Sequence, residues 1–223
     1  MNIERVRGDF DEIARLSDPH DEDTGRYDSF LLSLVPQSAK TILDIGCGTG
    51  RLTAKLVTDD REVVGIDLST EMIVRARAKV HAGLSFFCND FLTYDFGSQK
   101  FDCLITAAAI HHVPIDLAFP RLLELLAPNG RLILHDIRAD AGILDHLRSR
   151  FALAQIAFGR LLRTGSPLRP RAVRDAWERH CASETYLTLS EAQTLANRLM
   201  PGARVHNHWL WRYTIVWDRP QAV

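Results

Sequence analysis

The chain reads as an α/β fold: a doubly wound, seven-stranded, mostly parallel sheet with a C-terminal antiparallel hairpin, N-terminal helices, and a helical cap inserted after the fifth strand. Three observations predict it. A short apolar, β-branched run at 41–45 passes through alternate glycines, Gly46, Gly48 and Gly50, into apolar residues at helical spacing over 51–57. Strand and helix patterns then alternate as far as residue 137, which demands parallel pairing with right-handed crossovers. Finally, 203–209 and 212–217 are rich in aromatic and β-branched residues and lie a very short connection apart, as in an antiparallel hairpin at a sheet edge.

The elements follow in order. Ile3, Val6, Phe10, Ile13 and Leu16 recur at helical spacing, and the acidic, turn-prone stretch from Asp18 to Asp23 then reads as a loop. Arg26 to Val35 is a second helix, with Tyr27, Phe30, Leu31 and Leu34 on one face and Pro36 closing it. Strands are expected at 41–45, 63–67, 84–88, 101–107 and 131–137, with helices at 51–57, 70–80 and 116–126. Ser69 is an N-cap for the helix whose apolar face runs Met72, Ile73, Ala76, Val80, and Pro128-Asn129-Gly130 is a turn. Residues 138–186 are helical in propensity but broken by Gly165-Ser166-Pro167 and Arg169-Pro170-Arg171, which marks the cap. Ser190-Glu191-Ala192-Gln193 has the pattern of a capping box, and Pro201-Gly202 ends the helix it opens.

With 223 residues, 46% of them hydrophobic, the chain can bury a full core as one domain spanning 1–223, with residues 1–36 as its N-terminal helices. A net charge of −1 points to neither nucleic acid nor an anionic membrane as partner. Cys47, Cys88, Cys103 and Cys181 have no C-x-x-C spacing and read as reduced, buried thiols of a cytoplasmic protein. The N-terminal residues 1–11 are charged with no apolar h-region, and no run approaches the length of a membrane span.

The glycine turn sits at the carboxyl end of a strand, where open α/β sheets bind ligands. Its spacing is not that of a dinucleotide fingerprint, which needs a glycine where Arg51 stands. The pattern Asp44-x-Gly46-x-Gly48-x-Gly50 resembles motif I of the class I S-adenosylmethionine (SAM) dependent methyltransferases. Asp67 closes the next strand about 20 residues on, where a carboxylate holds ribose hydroxyls, and Asp90 closes the third. The final hairpin belongs to the same fold, so the resemblance covers roughly residues 26–220, and the tail Pro201 to Arg204 with Trp211 to Tyr213 is similar to that of small bacterial proteins of the "methyltransferase domain" kind.

The resemblance implies SAM as cofactor and S-adenosylhomocysteine as product. It implies backbone at Gly46 and Cys47 facing the methionyl amino end, close approach at Gly48, Asp67 on the ribose and Asp90 on the adenine amino group, with Phe91 packing on the ring. Leu68 and Met72 line the adenine or are plain core residues, and Asp44 orients the loop and balances the sulfonium charge. The segment that meets the acceptor in this fold runs from Ala107 to Pro114 and carries His111 and His112. Either histidine suits a general base for a phenol or alcohol; the competing reading is that one only bonds backbone, and a carboxylate acceptor needs no base. The segment lacks the Asn/Asp-Pro-Pro-Tyr of enzymes that methylate base or glutamine amino groups. His206 and His208 lack an acidic companion and read as surface residues, so no metal is expected.

The expected reaction is SAM-dependent methyl transfer to a small molecule, O-methylation ahead of N- or C-methylation. The alternatives are a peptide or protein carboxylate methyltransferase and a non-catalytic SAM-binding subunit. Between Arg138 and Arg179 nine arginines and no lysine face four acids, either as solvated helix faces or as recognition of an anionic acceptor. Nothing in the sequence sets the oligomeric state.

Overall fold

The computed structural model describes residues 3–17, 25–79 and 81–221; the expected loop at 18–23 and Val80 lie outside them. Helices α1 (Ile3–Leu16) and α2 (Asp28–Leu34) precede an alternating core: β1 (Thr41–Ile45), α3 (Arg51–Leu56), β2 (Glu62–Asp67), α4 (Thr70–Arg77), β3 (Leu84–Cys88), β4 (Phe101–Ala107), a 3₁₀ turn at Ile110–His112, α5 (Ile115–Leu125) and β5 (Leu126–Ile137). The cap is α6 (Ile143–Thr164) with α7 (Arg171–Cys181). The chain then forms α8 (Leu189–Leu199) and the hairpin β6 (Arg204–His208) and β7 (Arg212–Asp218).

The seven strands are ordered β3-β2-β1-β4-β5-β7-β6, with β7 antiparallel to both neighbours. Apolar residues on both faces of β1 explain the double winding. Leu43 and Ile45 face a core completed by Leu122 of α5 and Ala192 of α8, while Ile42 faces Leu31 of α2 and Leu52 and Leu56 of α3. Strand order reverses between β1 and β4, so a crevice opens at their carboxyl ends.

Local chemistry departs from the sequence reading in a few places. β5 begins at Leu126, and Pro128 to Gly130 lie within it as an irregularity: the register against β4 shifts and Asn129 has φ of +60°. The capping box of α8 belongs to Thr188 and Glu191, not to Ser190 and Gln193: Glu191 N–H donates to Thr188 Oγ1 at 3.2 Å and Thr188 N–H to Glu191 Oε2 at 2.8 Å. Both pairs share the i, i+3 spacing, and the helix starts at Leu189 because that turn buries Ala192 and Ala196. Of the cysteines, all free, only Cys103 is buried outright; Cys47 is half-buried, and Cys88 and Cys181 are exposed, Cys88 because it ends the edge strand and Cys181 because it ends α7. Ser69 does cap α4, accepting from Met72 N–H at 3.1 Å.

Thr188→Ala is expected to destabilise the fold by about 1 kcal/mol, whereas Ser190→Ala should stay within about 0.5 kcal/mol. Urea denaturation separates the two, and a larger loss for Ser190→Ala would contradict this cap.

Candidate active site

The glycine turn is held by the strand beside it. Gly46 and Cys47 N–H groups donate to the Ile66 carbonyl of β2 at 2.8 and 3.1 Å, and Gly48 N–H donates to Asp67 Oδ2 at 2.8 Å. All three glycines have positive φ, but for different neighbours. A Cβ on Gly46 would fall 2.2 Å from that of Ala109, and one on Gly50 would fall 2.6 Å from the Phe86 ring. Only at Gly48 would a Cβ meet no protein atom within 4 Å, so there the backbone opens to the space a ligand takes.

That space is a cavity of about 560 Å³ at the crevice. Asp44, Gly46, Cys47, Gly48, Asp67, Leu68, Met72, Asp90, Phe91 and Ala107 all line it, and so does His112. His111 does not; it lines a second cavity of about 490 Å³ between the 3₁₀ turn, β5 and α8.

The two acids of the cradle are charged at a cost. Asp44 is fully buried, and desolvation, with Asp67 nearby, lifts its carboxyl to about 7 although Thr53 donates to it at 2.7 Å. Burial also raises Asp67, opposed by the backbone bonds it accepts from Ser69 and Gly48. A cation in the cavity would relieve both. The amides of Gly46 and Cys47 are both engaged by the Ile66 carbonyl, and Cys47 O accepts from Gly50 N–H at 2.9 Å. Asp90 Oδ1 accepts from Leu92 N–H at 3.0 Å, while Oδ2 receives no bond from any described residue.

The histidines are set by carboxylates that the sequence did not single out. Ala108, with φ of +58°, turns the chain off β4, and His111 Nδ1 then lies 2.6 Å from Asp136 Oδ1, at the buried end of β5. His112 Nδ1 lies 3.0 Å from Glu184 Oε2, whose other oxygen accepts from Arg5 at 2.9 Å. Arg5 and His112 hold Glu184 below the usual range against the pull of its burial, so it is a carboxylate and His112 carries its proton on Nδ1. Burial, reinforced by His111, depresses His112 to about 4, which keeps the ring neutral. Its Nε2 lone pair is buried without a partner. His111, His112 and Glu184, which the sequence reading did not group as metal ligands, bring ligand atoms within 4.8 Å of one another; His111 Nδ1 lies against Asp136 and Glu184 accepts from Arg5. His206 and His208 are not surface residues: they are half-buried against Phe30, and His208 Nε2 lies 2.8 Å from Thr214 Oγ1.

The walls beyond the cradle come from both ends of the chain. From α1, Val6, Phe10, Ile13 and Ala14 line the cavity, and from the cap Arg160, Thr164, Arg169, Val173 and Trp177 do. Phe10 stands edge-on to His112, Trp177 and His180, while Asp9 meets His180 at 3.1 Å. The apolar face of α1 was legible in the sequence; that it turns to a ligand and not to the sheet was not. Arg212 also reaches the cavity, from a hairpin turn in which Leu210 and Trp211 hold φ of +66° and +55°. That turn type favours glycine, and here the indoles secure it to α6: Trp211 donates to Ser149 and Trp209 to Gln155, the latter at 3.2 Å. Among the described residues no carboxylate pairs with Arg212.

The comparisons with known proteins agree with this geometry. A family profile described as methyltransferase domain matches residues 42–130. An uncharacterized methyltransferase of Mycobacterium tuberculosis is 28% identical over 87% of this chain and 94% of its own length. The N-methyltransferase NodS of Bradyrhizobium japonicum, solved with S-adenosylhomocysteine, shares the fold with a TM-score of 0.64 at 17% identity, over 97% of this chain and 99% of that one. An uncharacterized methyltransferase of Bacillus cereus is 31% identical over 62% of this chain and 70% of its own length. The chain therefore belongs to the methyltransferase family, in the class I SAM-dependent group whose glycine turn and strand order it carries.

Proposed function

We propose that the protein transfers a methyl group from SAM to an oxygen of a small anionic acceptor bound beneath α1 and the cap. The observation that carries this reading is the continuity of one cavity from the glycine cradle to the wall formed by His112 and Arg212. The cradle fits the cofactor: Gly48 leaves room at the wall, Asp67 accepts ribose hydroxyls, Asp90 Oδ2 accepts from the adenine amino group, and Phe91, Leu68 and Met72 supply apolar surface for the ring. Bound there, SAM supplies the methyl group on an already activated sulfonium.

The protein's part is alignment and exclusion of water. Neutral His112, its Nδ1 proton held by Glu184, offers Nε2 to the acceptor's O–H; that nitrogen is closed to solvent here, so the neighbouring wall must shift for the acceptor to reach it. As the oxygen gains the methyl group its O–H bond breaks and the proton passes to His112 Nε2; a ring depressed to about 4 is a weak base for the free hydroxyl but a sufficient one for the oxygen as it becomes positive in the transition state. Arg212 supplies the countercharge for a carboxylate or phosphate on the acceptor, which arginine can bind through two parallel hydrogen bonds. His111 acts with Asp136 as a prop for the 3₁₀ turn.

Cofactor affinity should depend on pH through Asp44. Below about 7 its carboxyl is protonated and must lose that proton before it can balance a cation, so affinity rises with pH and levels off above neutrality. Titration calorimetry with SAM between pH 5.5 and 8.5 should show a gain of up to roughly tenfold per unit on the acid side. Asp44→Asn should flatten most of that slope; a flat wild-type profile would contradict the role.

His112→Ala is expected to lower kcat on a hydroxyl acceptor by about 10²-fold or more while S-adenosylhomocysteine binding is unchanged. His111→Ala should act mainly through stability. Thermal melts beside steady-state rates distinguish them, and equal kcat losses at equal stability would reverse the assignment.

The acceptor class is tested by offering labelled SAM with a panel of hydroxy acids, phosphorylated alcohols, carboxylic acids and amines, and identifying products by mass spectrometry. Methyl ethers or esters of anionic members are expected. Arg212→Gln should raise their KM by roughly tenfold to a hundredfold. Methylation confined to neutral amines would rule the reading out.

A further inference from the structure

The cap helix α6 is amphipathic in an unusual sense, since its apolar stripe points away from the protein. Ile143, Leu147, Phe151, Phe158 and Leu162 are 79, 59, 67, 62 and 73% exposed. At 3.6 residues per turn these five fall within an arc of roughly 100°. Arg160 and Thr164 line the cavity wall from another side; Leu153 and Ile156, also exposed, lie outside the arc, so the helix is solvent-facing over most of its girth and the stripe is its densest apolar line. Trp209, 45% exposed on the neighbouring hairpin turn, packs against Phe151 with ring centroids 6.4 Å apart and widens the patch.

Charge identifies what would cover it. From Ile143 to Cys181 the chain has eight arginines and three acids, Asp145, Asp175 and Glu178, of which Asp145 lies 3.7 Å from Arg148 and Asp175 3.5 Å from Arg171; the local excess of positive charge is one that the overall charge of −1 conceals. Arg148 and Arg150 flank the stripe on its two sides, both exposed, with stems long enough to lie along apolar surface while the guanidinium stays in water. Arg160, Arg163 and Arg169 have contacts of their own within the protein and still add to the local positive field. A second copy of the same stripe would bring arginines against arginines. An anionic bilayer offers an apolar layer and negative headgroups side by side, and it is flat over the full length of the helix, which at 22 residues is about 33 Å.

We propose that α6, with Trp209, docks the protein on the surface of an anionic lipid membrane, its apolar stripe at the boundary between headgroups and acyl chains. This is adsorption and not spanning, as no described helix is long and apolar enough to cross a bilayer. The proposal is independent of the acceptor reading.

Co-sedimentation of the full-length protein with vesicles of phosphatidylcholine, alone or with phosphatidylglycerol, tests it. The partition coefficient should be at least about tenfold higher for the anionic vesicles and fall severalfold in high salt. The double variant Leu147→Glu, Phe151→Glu should lose binding by about tenfold or more, and Arg148→Glu, Arg150→Glu should lose the preference for anionic lipid. All four side chains are exposed, so folding and S-adenosylhomocysteine affinity should match wild type and serve as controls. Absence of binding to either vesicle, or equal binding by the double apolar variant, would overturn the proposal. So would concentration-dependent dimers in light scattering that the apolar variant abolishes, without vesicle binding, since the stripe would then be an interface between copies.

Discussion

The structure depends on one backbone arrangement, the anchoring of the turn after β1 to the end of β2. The Ile66 carbonyl takes two N–H groups of the turn and Asp67 takes a third, so the loop that approaches the cofactor is an extension of the sheet. The same Asp67 accepts from Ser69 N–H at 2.8 Å, and Ser69 in turn caps α4. One carboxylate therefore ties together the turn, the start of the next helix and the wall of the cavity. Because it is buried beside Asp44, each carboxylate is disfavoured by desolvation and by the other, and a positive charge in the cavity would relieve both.

Around this cradle, α1 and the cap make a wall from segments far apart in sequence. Asp11 of α1 accepts from Ser69 Oγ at 2.6 Å and from Glu71 N–H at 3.1 Å, which fastens α1 over α4. Asp9 meets His180, Arg179 meets Glu12 at 2.7 Å, and Arg5 meets Glu184, so α7 and the segment after it lie on the same helix. His112 sits within this junction, its tautomer held by Glu184 and its ring bounded by Phe10 and His180. The tautomer and packing of His112 are thus tied to the packing of α1 against α7 and the segment that follows it.

α6 contributes to the cavity through one side and presents apolar residues to the outside through the other. Its inner residues and the two indoles of the hairpin turn hold Arg212 in place despite the two residues at positive φ before it.

The sequence by itself determined the layer order and the glycine turn, and it named residues from Asp44 to Ala107 that the fold brings to the wall of one cavity. Each of these is a local matter: strand periodicity, backbone freedom at positive φ, and an acid closing each βα unit leave their mark within a few residues. Helix starts were legible where one capping residue preceded an apolar face, as at Ser69. They were ambiguous where two overlapping i, i+3 pairs competed, and at Thr188 the burial of Ala192 and Ala196 chose between them. The tertiary structure alone decided which histidine meets the cofactor cavity, because Asp136 and Glu184 reach 111 and 112 from 25 and 72 residues away. It also decided that Arg212 lines the cavity and that an apolar stripe of α6 faces out, since periodicity records that a helix has faces and not which one the rest of the molecule covers.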